Sequence, residues 1–326
     1  MDSVSQFALG ASVVIVVMGR RVPVWQAAAV GVVCGTLPDL DVFIDHGDAI
    51  RNMTLHRTES HSLLWLTLAS PLLAALCARV CRQQQHFARW WGAVWLALIT
   101  HPLLDLTTVY GTQLALPFTD RPFAIGSMFI VDPLYTLPLL VGLVAALALR
   151  GERGWRWNRI GLSLSCVYLL WSMAAQVWVT HQVKQQLLAE QNEVGQLLVT
   201  PTALNTLQWR VVVMKEDSYQ EGFYSLLSPR KWLTLTTHDR GAGLYQQLES
   251  NWYVQRVAWF SRGFFAMKQV NGDVTITDLR MGEEPDYAFT FNLGPLPLKE
   301  GPYKPSRLTV QRPPLRQALH KLWSRF

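Results

Sequence analysis

Along the first 181 residues, apolar positions run in long unbroken stretches instead of alternating with polar ones. Phe7 to Met18 is apolar but short, and Val22 to Leu37 follows Arg20 and Arg21 without a charge. Ser62 to Val80 is interrupted only by Arg79, and Trp90 to Leu116 is long and carries His101 and Asp105. Met128 to Leu149 holds a single charge, Asp132, near its start. Ile160 to Thr180 has 21 uncharged residues, the length that a hydrocarbon layer of about 30 Å asks of a helix. The pattern predicts a mainly α protein, a multi-span membrane bundle of five or six apolar helices. The first segment lacks the basic leader and small-residue cleavage site of a signal sequence, so it is read as a short helix paired with the second.

Beyond His181 the pattern changes. Val183 to Leu198 is amphipathic and rich in Gln and Glu, which predicts a helix. After Pro201 come short aromatic runs bounded by Gly, Asn, Asp and Pro: Trp209 to Met214, Trp232 to Thr237, Trp252 to Phe260, Gly263 to Val270, Val274 to Asp278 and Tyr287 to Phe291. These read as strands of an antiparallel sheet, with a hairpin at Asn271-Gly272-Asp273. The expected organisation is a helical membrane domain (1–181), a connecting amphipathic helix (182–200), a small, mostly β extramembrane domain (201–295) and a Pro-rich basic tail (296–326). Trp209, Trp232, Trp252 and Trp259 are read as core of that β domain.

Composition sharpens the division. Half the residues are hydrophobic and 16% charged, against roughly a quarter in an average soluble domain. No lysine occurs before His181, whereas the remainder has 17 basic and 13 acidic residues. The net charge of +6 comes with no basic stripe interleaved with aromatics, so no nucleic-acid partner is expected. Arg20/Arg21, then Arg79/Arg82/Arg89, then Arg150/Arg153/Arg156/Arg159 occupy alternate loops, which the positive-inside rule makes cytoplasmic. The last segment, starting inside, then delivers the C-terminal domain to the outside, which in the inner membrane of a Gram-negative bacterium is the periplasm. Cys34, Cys77, Cys81 and Cys166 have no CxxC spacing and read as packing residues.

The candidate chemistry collects at the outward ends of these segments. Pro38 ends the second segment and Asp39 and Asp41 follow at the boundary; Asp45, His46 and Asp48 come next, then His56, Arg57, Glu59 and His61. A solvated loop needs charge but has no need of imidazole. His101 and Asp105 are four residues apart on one helix face, and a carboxylate in a bilayer costs at least about 2.5–3.5 kcal/mol, so Asp105 requires a partner or an aqueous cavity. Asp132 adds an acid at the outer entrance of the next segment. A hydrogen-bonded structural pair and a metal site both fit His101 and Asp105 alone, and convergence of every polar residue on one face favours metal. Mixed Asp and His ligands suit zinc, manganese or iron more than calcium. Arg57 would neutralise an anionic substrate or contact lipid headgroups.

At these residues the sequence resembles the YdjM-like family of bacterial inner-membrane, metal-dependent hydrolases. The resemblance rests on Leu37-Pro38-Asp39-Leu40-Asp41, His56-Arg57 with His61-Ser62, His101-Pro102-Leu103-Leu104-Asp105, Tyr110-Gly111-Thr112, Pro117-Phe118 and Asp132-Pro133-Leu134-Tyr135. It covers about residues 1 to 180, and Ser60-His61-Ser62 stands where Thr-His-Ser is expected. It implies hydrolase activity. More remotely the layout is similar to zinc phospholipases C and single-strand-specific zinc nucleases. In those, a His-x-x-x-Asp helix motif corresponds to His101 and Asp105, and an Asp with a later His corresponds to Asp39 or Asp41 with His56. Those enzymes also use a free N-terminal amine as ligand, which a membrane-embedded N-terminus does not match.

The resulting expectation is a metal-dependent hydrolase acting on a phosphoester, such as a lipid headgroup at the outer face of the membrane. Asp39, Asp41, His56, His61, His101 and Asp105 would hold the ion, with Asp41, Asp132 and Arg57 serving the chemistry. Membrane lipid is the expected environment and substrate, and a protein partner of the β domain is undefined. A cation transporter or metal sensor is the alternative, although the inner halves of the segments carry almost no acids. A third reading is an envelope scaffold whose polar cluster is structural.

Overall fold

The computed structural model describes residues 1–149, 151–190, 195–228, 233–298 and 304–309, and the chain divides into two compact units. The first comprises Met1–Phe43, Arg57–Ala174 and Ala203–Asn205, and the second Ile44–His56, Ala175–Thr202 and Thr206–Phe326.

The first unit is built from helices α1 (Ser3–Met18), α2 (Val24–Thr36), α4 (Leu63–Val80), α5 (Phe87–Leu106), α6 (Pro133–Ala148) and the early part of α7 (Glu152–Ala189). Short polar residues start them: Asp2 accepts from Ser5 N at the head of α1, Ser62 from Trp65 N at α4, and Asp132 from Leu134 N at α6. Helix α1 lies inside, with Ala11, Val14, Ile15 and Met18 buried, and packs on α2, α5 and α6. Its approach to α2 depends on glycine, since a Cβ on Gly10 would sit 2.3 Å from the Gly31 carbonyl oxygen. Helices α4 and α5 are tied by Trp91 Nε1 donating to Ser70 Oγ (2.9 Å) and Trp95 Nε1 donating to Thr67 Oγ1 (3.0 Å).

Outward faces of these helices are apolar at helical spacing. Leu68, Leu72, Leu76 and Val80 are exposed along α4, Leu134, Leu137, Val141 and Val144 along α6, and Ile160, Leu164, Val167 and Trp171 along α7. Aqueous surfaces do not carry such stripes, and hydrocarbon does. The expectation of five or six spanning helices is nevertheless corrected. Among the described residues only α4, with 18 residues, and α7, with 38, are both long and apolar enough to cross a membrane. Helices α1 and α6 are apolar but have 16 residues each. Helix α2 has 13, about 20 Å, before it tightens into the turn at Leu37–Phe43. Helix α5 has the length, but Arg89, His101 and Asp105 lower its hydropathy.

The second unit contains two four-stranded antiparallel sheets. One has the order β1 (Gln196–Pro201), β2 (Gln208–Met214), β3 (Ser218–Ser225), β4 (Leu235–Asp239); the other β5 (Phe265–Val270), β6 (Asp273–Glu283), β7 (Asp286–Pro295), β8 (Ser306–Arg307). Every residue of β2 is buried because both faces are covered. Val199, Trp209, Val211 and Val213 meet Ala175, Val179, Val183 and Leu187, the four-residue stripe of late α7, whereas Val212 and Met214 meet Phe264, Ala266 and Leu279 of the second-sheet region. The Asn271-Gly272 turn joins β5 to β6 with both residues at positive φ, as a two-residue hairpin requires.

Several boundaries differ from expectation. After the short helix α8 (Ala242–Leu248), residues 252–260 form helix α9 (Trp252–Phe260), not a strand: Asn251 caps it, and the buried Val254, Val257 and Phe260 recur every three residues. The predicted connecting helix is the end of α7, which stops at Ala189, and β1 begins at Gln196. The segment after Phe43, expected as a loop of the membrane domain, forms helix α3 (Ala49–Leu55) in the second unit. There Arg256 Nε donates to Thr54 Oγ1 (2.9 Å) and the Arg51 guanidinium lies 5.0 Å from the Trp252 ring. Trp209 is buried core, Trp252 is half-exposed, and Trp232 and residues 310–326 of the tail lie outside the described residues.

Candidate metal centre

Three pieces of chain deliver the centre. The tight turn Leu37–Phe43 continues α2 past Pro38 and presents Asp39 and Asp41. The turn Glu59–His61 presents His61 just before Ser62 caps α4. The last two turns of α5 present His101 and Asp105, one above the other. A loop after α5 braces the second turn, since Ser62 Oγ donates to the Leu116 carbonyl (2.6 Å) and Leu63 N to that of Leu114 (3.0 Å).

Asp39, His61, His101 and Asp105 each aim one donor atom at a common point, the four atoms lying within 4.8 Å of one another. His61 Nε2 is 3.2 Å from His101 Nε2, 3.4 Å from Asp39 Oδ1 and 3.3 Å from Asp105 Oδ2. His101 Nε2 is 3.4 Å from Asp39 Oδ1 and 3.5 Å from Asp105 Oδ2. His61, His101 and Asp105 are buried, and the Asp39 side chain is 23% exposed.

The outer nitrogens of both imidazoles are committed elsewhere. His101 Nδ1 lies 2.6 Å from the Gly35 carbonyl oxygen, which can only accept, so Nδ1 carries the hydrogen. Ser60 Oγ donates to Asp41 Oδ2 (2.6 Å) and therefore accepts from His61 Nδ1 (2.8 Å). In the neutral tautomers both Nε2 lone pairs then face the centre, together with two carboxylate oxygens. Four electron-rich atoms at these distances repel unless a cation lies among them. Pinning of Nδ1 by a carbonyl or a carboxylate-linked group is how proteins orient metal-binding histidines. Asp39 Oδ1 and Asp105 Oδ2 also accept no hydrogen bond of normal geometry among the described residues. The donor set could thus hold a metal ion.

The electrostatics agree. Burial disfavours charge on His61, but the carboxylates of Asp105 and Asp39 outweigh it and raise the pKa above the ordinary histidine value. Burial also opposes ionisation of Asp39, yet the imidazoles of His101 and His61 overcome it and hold the carboxyl far below the usual range. The site attracts positive charge, whether proton or metal.

Of the remaining expected residues, Asp41 sits behind the centre: Oδ2 accepts from Arg57 N (2.9 Å) and Ser60 Oγ, and lies 3.6 Å from His61 Nδ1. Arg57 is buried with Nη2 3.1 Å from Asp105 Oδ1. His56 ends helix α3 in the second unit, one residue before Arg57. Asp132 does not join the converging donors: it caps α6 and accepts from Tyr168 OH (2.8 Å). Four contributors were missed. Ser60 links Asp41 to His61. The Gly35 carbonyl is a backbone atom without a sequence signal. Gln6 Nε2 donates to Asp105 Oδ1 (3.1 Å), and as an amide within an apolar helix it was visible. The Met1 amino group pairs with the same Asp105 oxygen.

The model of a family described as "YdjM inner membrane protein" matches residues 1–179, which include the whole centre. A Bacillus subtilis (strain 168) protein described as "Uncharacterized protein YfhP" is 24% identical over 213 residues, 63% of this chain. The match spans 61% of that protein's length. No solved structure matches the chain.

Proposed function

Because the chain belongs to the YdjM inner membrane protein family, we propose that it is a membrane-bound hydrolase dependent on zinc, acting on a phosphoester such as a lipid headgroup. The observation that carries this reading is the spacing of the donors. Zinc bonds to nitrogen and oxygen are about 2.0–2.1 Å, so a tetrahedron of such ligands has edges of about 3.3 Å. The five donor separations given above run from 3.2 to 3.5 Å. Asp39, His61, His101 and Asp105 would hold the ion, with Ser60, Asp41 and the Gly35 carbonyl fixing the imidazoles. Such an ion supplies Lewis acidity and an activated water at neutral pH. Asp39, the most exposed of the four, is the side from which a substrate would enter. Asp41 is a reserve of negative charge beside it.

The apolar faces of α4 and α7 support a membrane location, and the alternating arginine clusters argue for an outward-facing site. A phospholipid headgroup is then within reach without leaving the bilayer. A second reading has its own observation: four protein ligands already complete a tetrahedron, as in structural or sensory zinc sites.

Elemental analysis of the purified full chain, with a phosphodiesterase assay on phospholipid vesicles, separates the readings. The hydrolase reading expects about one zinc or more per chain and metal-dependent release of headgroup or phosphate. Bound zinc without any hydrolysis supports the structural or sensory reading. Absence of bound metal contradicts both.

A further inference from the structure

Arg57 is the residue whose surroundings are least complete. It follows helix α3, and its backbone adopts a left-handed conformation, φ 66°, that non-glycine residues avoid. That conformation is held at both ends: Arg57 N donates to Asp41 Oδ2 (2.9 Å), and its carbonyl accepts from Gln113 N (3.0 Å). The strained turn sends the side chain inward, leaving the residue 4% exposed. The guanidinium thus lies inside the protein beside the centre, not on its outer surface.

Inside, one side of the guanidinium lies 4.9 Å from the Tyr110 ring centroid, and Nη2 is 3.1 Å from Asp105 Oδ1. Nε and Nη1 are buried and donate to nothing among the described residues. A buried charged donor without an acceptor is costly, and proteins retain such groups where a ligand completes them. Asp105 fixes where that ligand would lie, since Oδ1 faces Arg57 and Oδ2 faces the two histidines. An anion on either free nitrogen of Arg57 is thus one carboxylate away from the metal-binding donors. Phosphoryl oxygens suit both neighbours, because guanidinium and zinc each bind them.

We propose that Arg57 is the anion-binding residue of this centre and receives a phosphoryl oxygen of the substrate on one of its two unmatched nitrogens, Nη1 or Nε, which face opposite sides of the guanidinium. This rests on the hydrolase reading for the word substrate, but the binding site stands without it. Tyr110 and the Asp41 and Gln113 contacts position Arg57 and do not touch the anion.

The test is binding of inorganic phosphate to the purified full chain, metal-stripped and zinc-loaded, measured calorimetrically in a phosphate-free maltoside detergent. The wild-type protein should bind phosphate, and Arg57→Gln should bind it at least about tenfold more weakly while retaining its zinc. Arg57→Lys should fall between them, since ammonium keeps the charge without the planar fork. The same titration in phospholipid nanodiscs separates the sources: weaker apparent phosphate affinity there marks a lipid headgroup as the resident anion, and unchanged affinity marks free phosphate. The proposal is overturned if wild-type protein binds no phosphate, or if Arg57→Gln binds it as tightly as wild type. It is also overturned if Arg57→Gln loses zinc in proportion to phosphate, since Arg57 would then serve only to hold Asp105. Arg57-dependent phosphate binding by a protein that hydrolyses no phosphoester would uphold this site and refute the hydrolase reading alone.

Discussion

Two buried arginines, one in each unit, show how a structural polar group differs from one that awaits a partner. Arg210 lies in the middle of β2, and all three of its nitrogens are used: Nε on Glu221 (2.8 Å), Nη1 on the Leu279 carbonyl (2.7 Å) and Nη2 on Tyr287 OH (3.3 Å). Glu221 is completed in turn by Tyr287 OH (3.0 Å). Arg57 is as deeply buried and has one nitrogen on a carboxylate and two on nothing among the described residues. In the histidines nearby Nδ1 is secured, and Nε2 of each faces the other imidazole and the carboxylates of Asp39 and Asp105. Burial is common to both places. What separates them is completeness, and incomplete burial is expected where a ligand supplies the missing term.

The largest effect that would break this comparison is loss of the metal. His101→Ala and Asp105→Asn should each reduce metal from about one per chain to near zero by elemental analysis, with the β-rich unit still folded. Retention of metal in both would make the cluster a structural network like that of Arg210.

Next in size is the converse experiment. Arg210→Met leaves Glu221 buried and unpaired, and should cost about 3–5 kcal/mol in chemical unfolding of the second unit without altering metal content. The double variant Arg210→Met with Glu221→Leu should recover most of that loss, because a fully partnered ion pair is replaceable by apolar packing. If the double variant is no better than the single one, the Arg210 network does more than satisfy itself.

A smaller change is expected for Ser60→Ala, which removes the acceptor of His61 Nδ1–H but no ligand. Metal affinity should fall by about 10–100-fold in competition with a chelator. An unchanged affinity would show that the Asp41–Ser60–His61 chain does not orient the imidazole.

The mildest probe is pH. The raised pKa of His61 means that a proton occupies the centre below it and competes with metal. Apparent metal affinity should therefore weaken by about tenfold per pH unit below that pKa and level off above it. For the metal-stripped protein the sign reverses. The stability that the His61 proton contributes is fully present below the unfolded value of 6.5 and is lost as pH rises through the higher folded value. Thermal unfolding of stripped and loaded protein across neutral pH should thus diverge as pH increases, and parallel curves would sink the linkage.

Much of the centre was legible from residue types. His101 and Asp105 announce themselves by four-residue spacing in an apolar helix, Asp39 by its place after Pro38, and His61 by its place before Ser62. The Gly35 carbonyl was not legible, because backbone atoms carry no identity, and the capping of α6 by Asp132 is a role that residue type alone does not separate from one in the centre. In the fold, apolar runs located the helices but overcounted the spans, since apolarity is shared by buried and lipid-facing helices, and length together with mean hydropathy leaves only α4 and α7 among the described residues. Trp252 to Phe260 read as a strand because its aromatics are dense, whereas its buried positions follow a helical period. Helix α3 joining the β-rich unit depends on contacts with α9 some 200 residues away, which no local pattern reports.

Whether two imidazoles and two carboxylates surround one metal ion is read from zinc K-edge X-ray absorption of the purified protein. The expected spectrum has nitrogen and oxygen neighbours only, at about 2.0–2.1 Å, with outer-shell scattering from two imidazoles that disappears when His101→Ala abolishes binding. A sulfur shell at about 2.3 Å, or zinc with no imidazole signature, would contradict it.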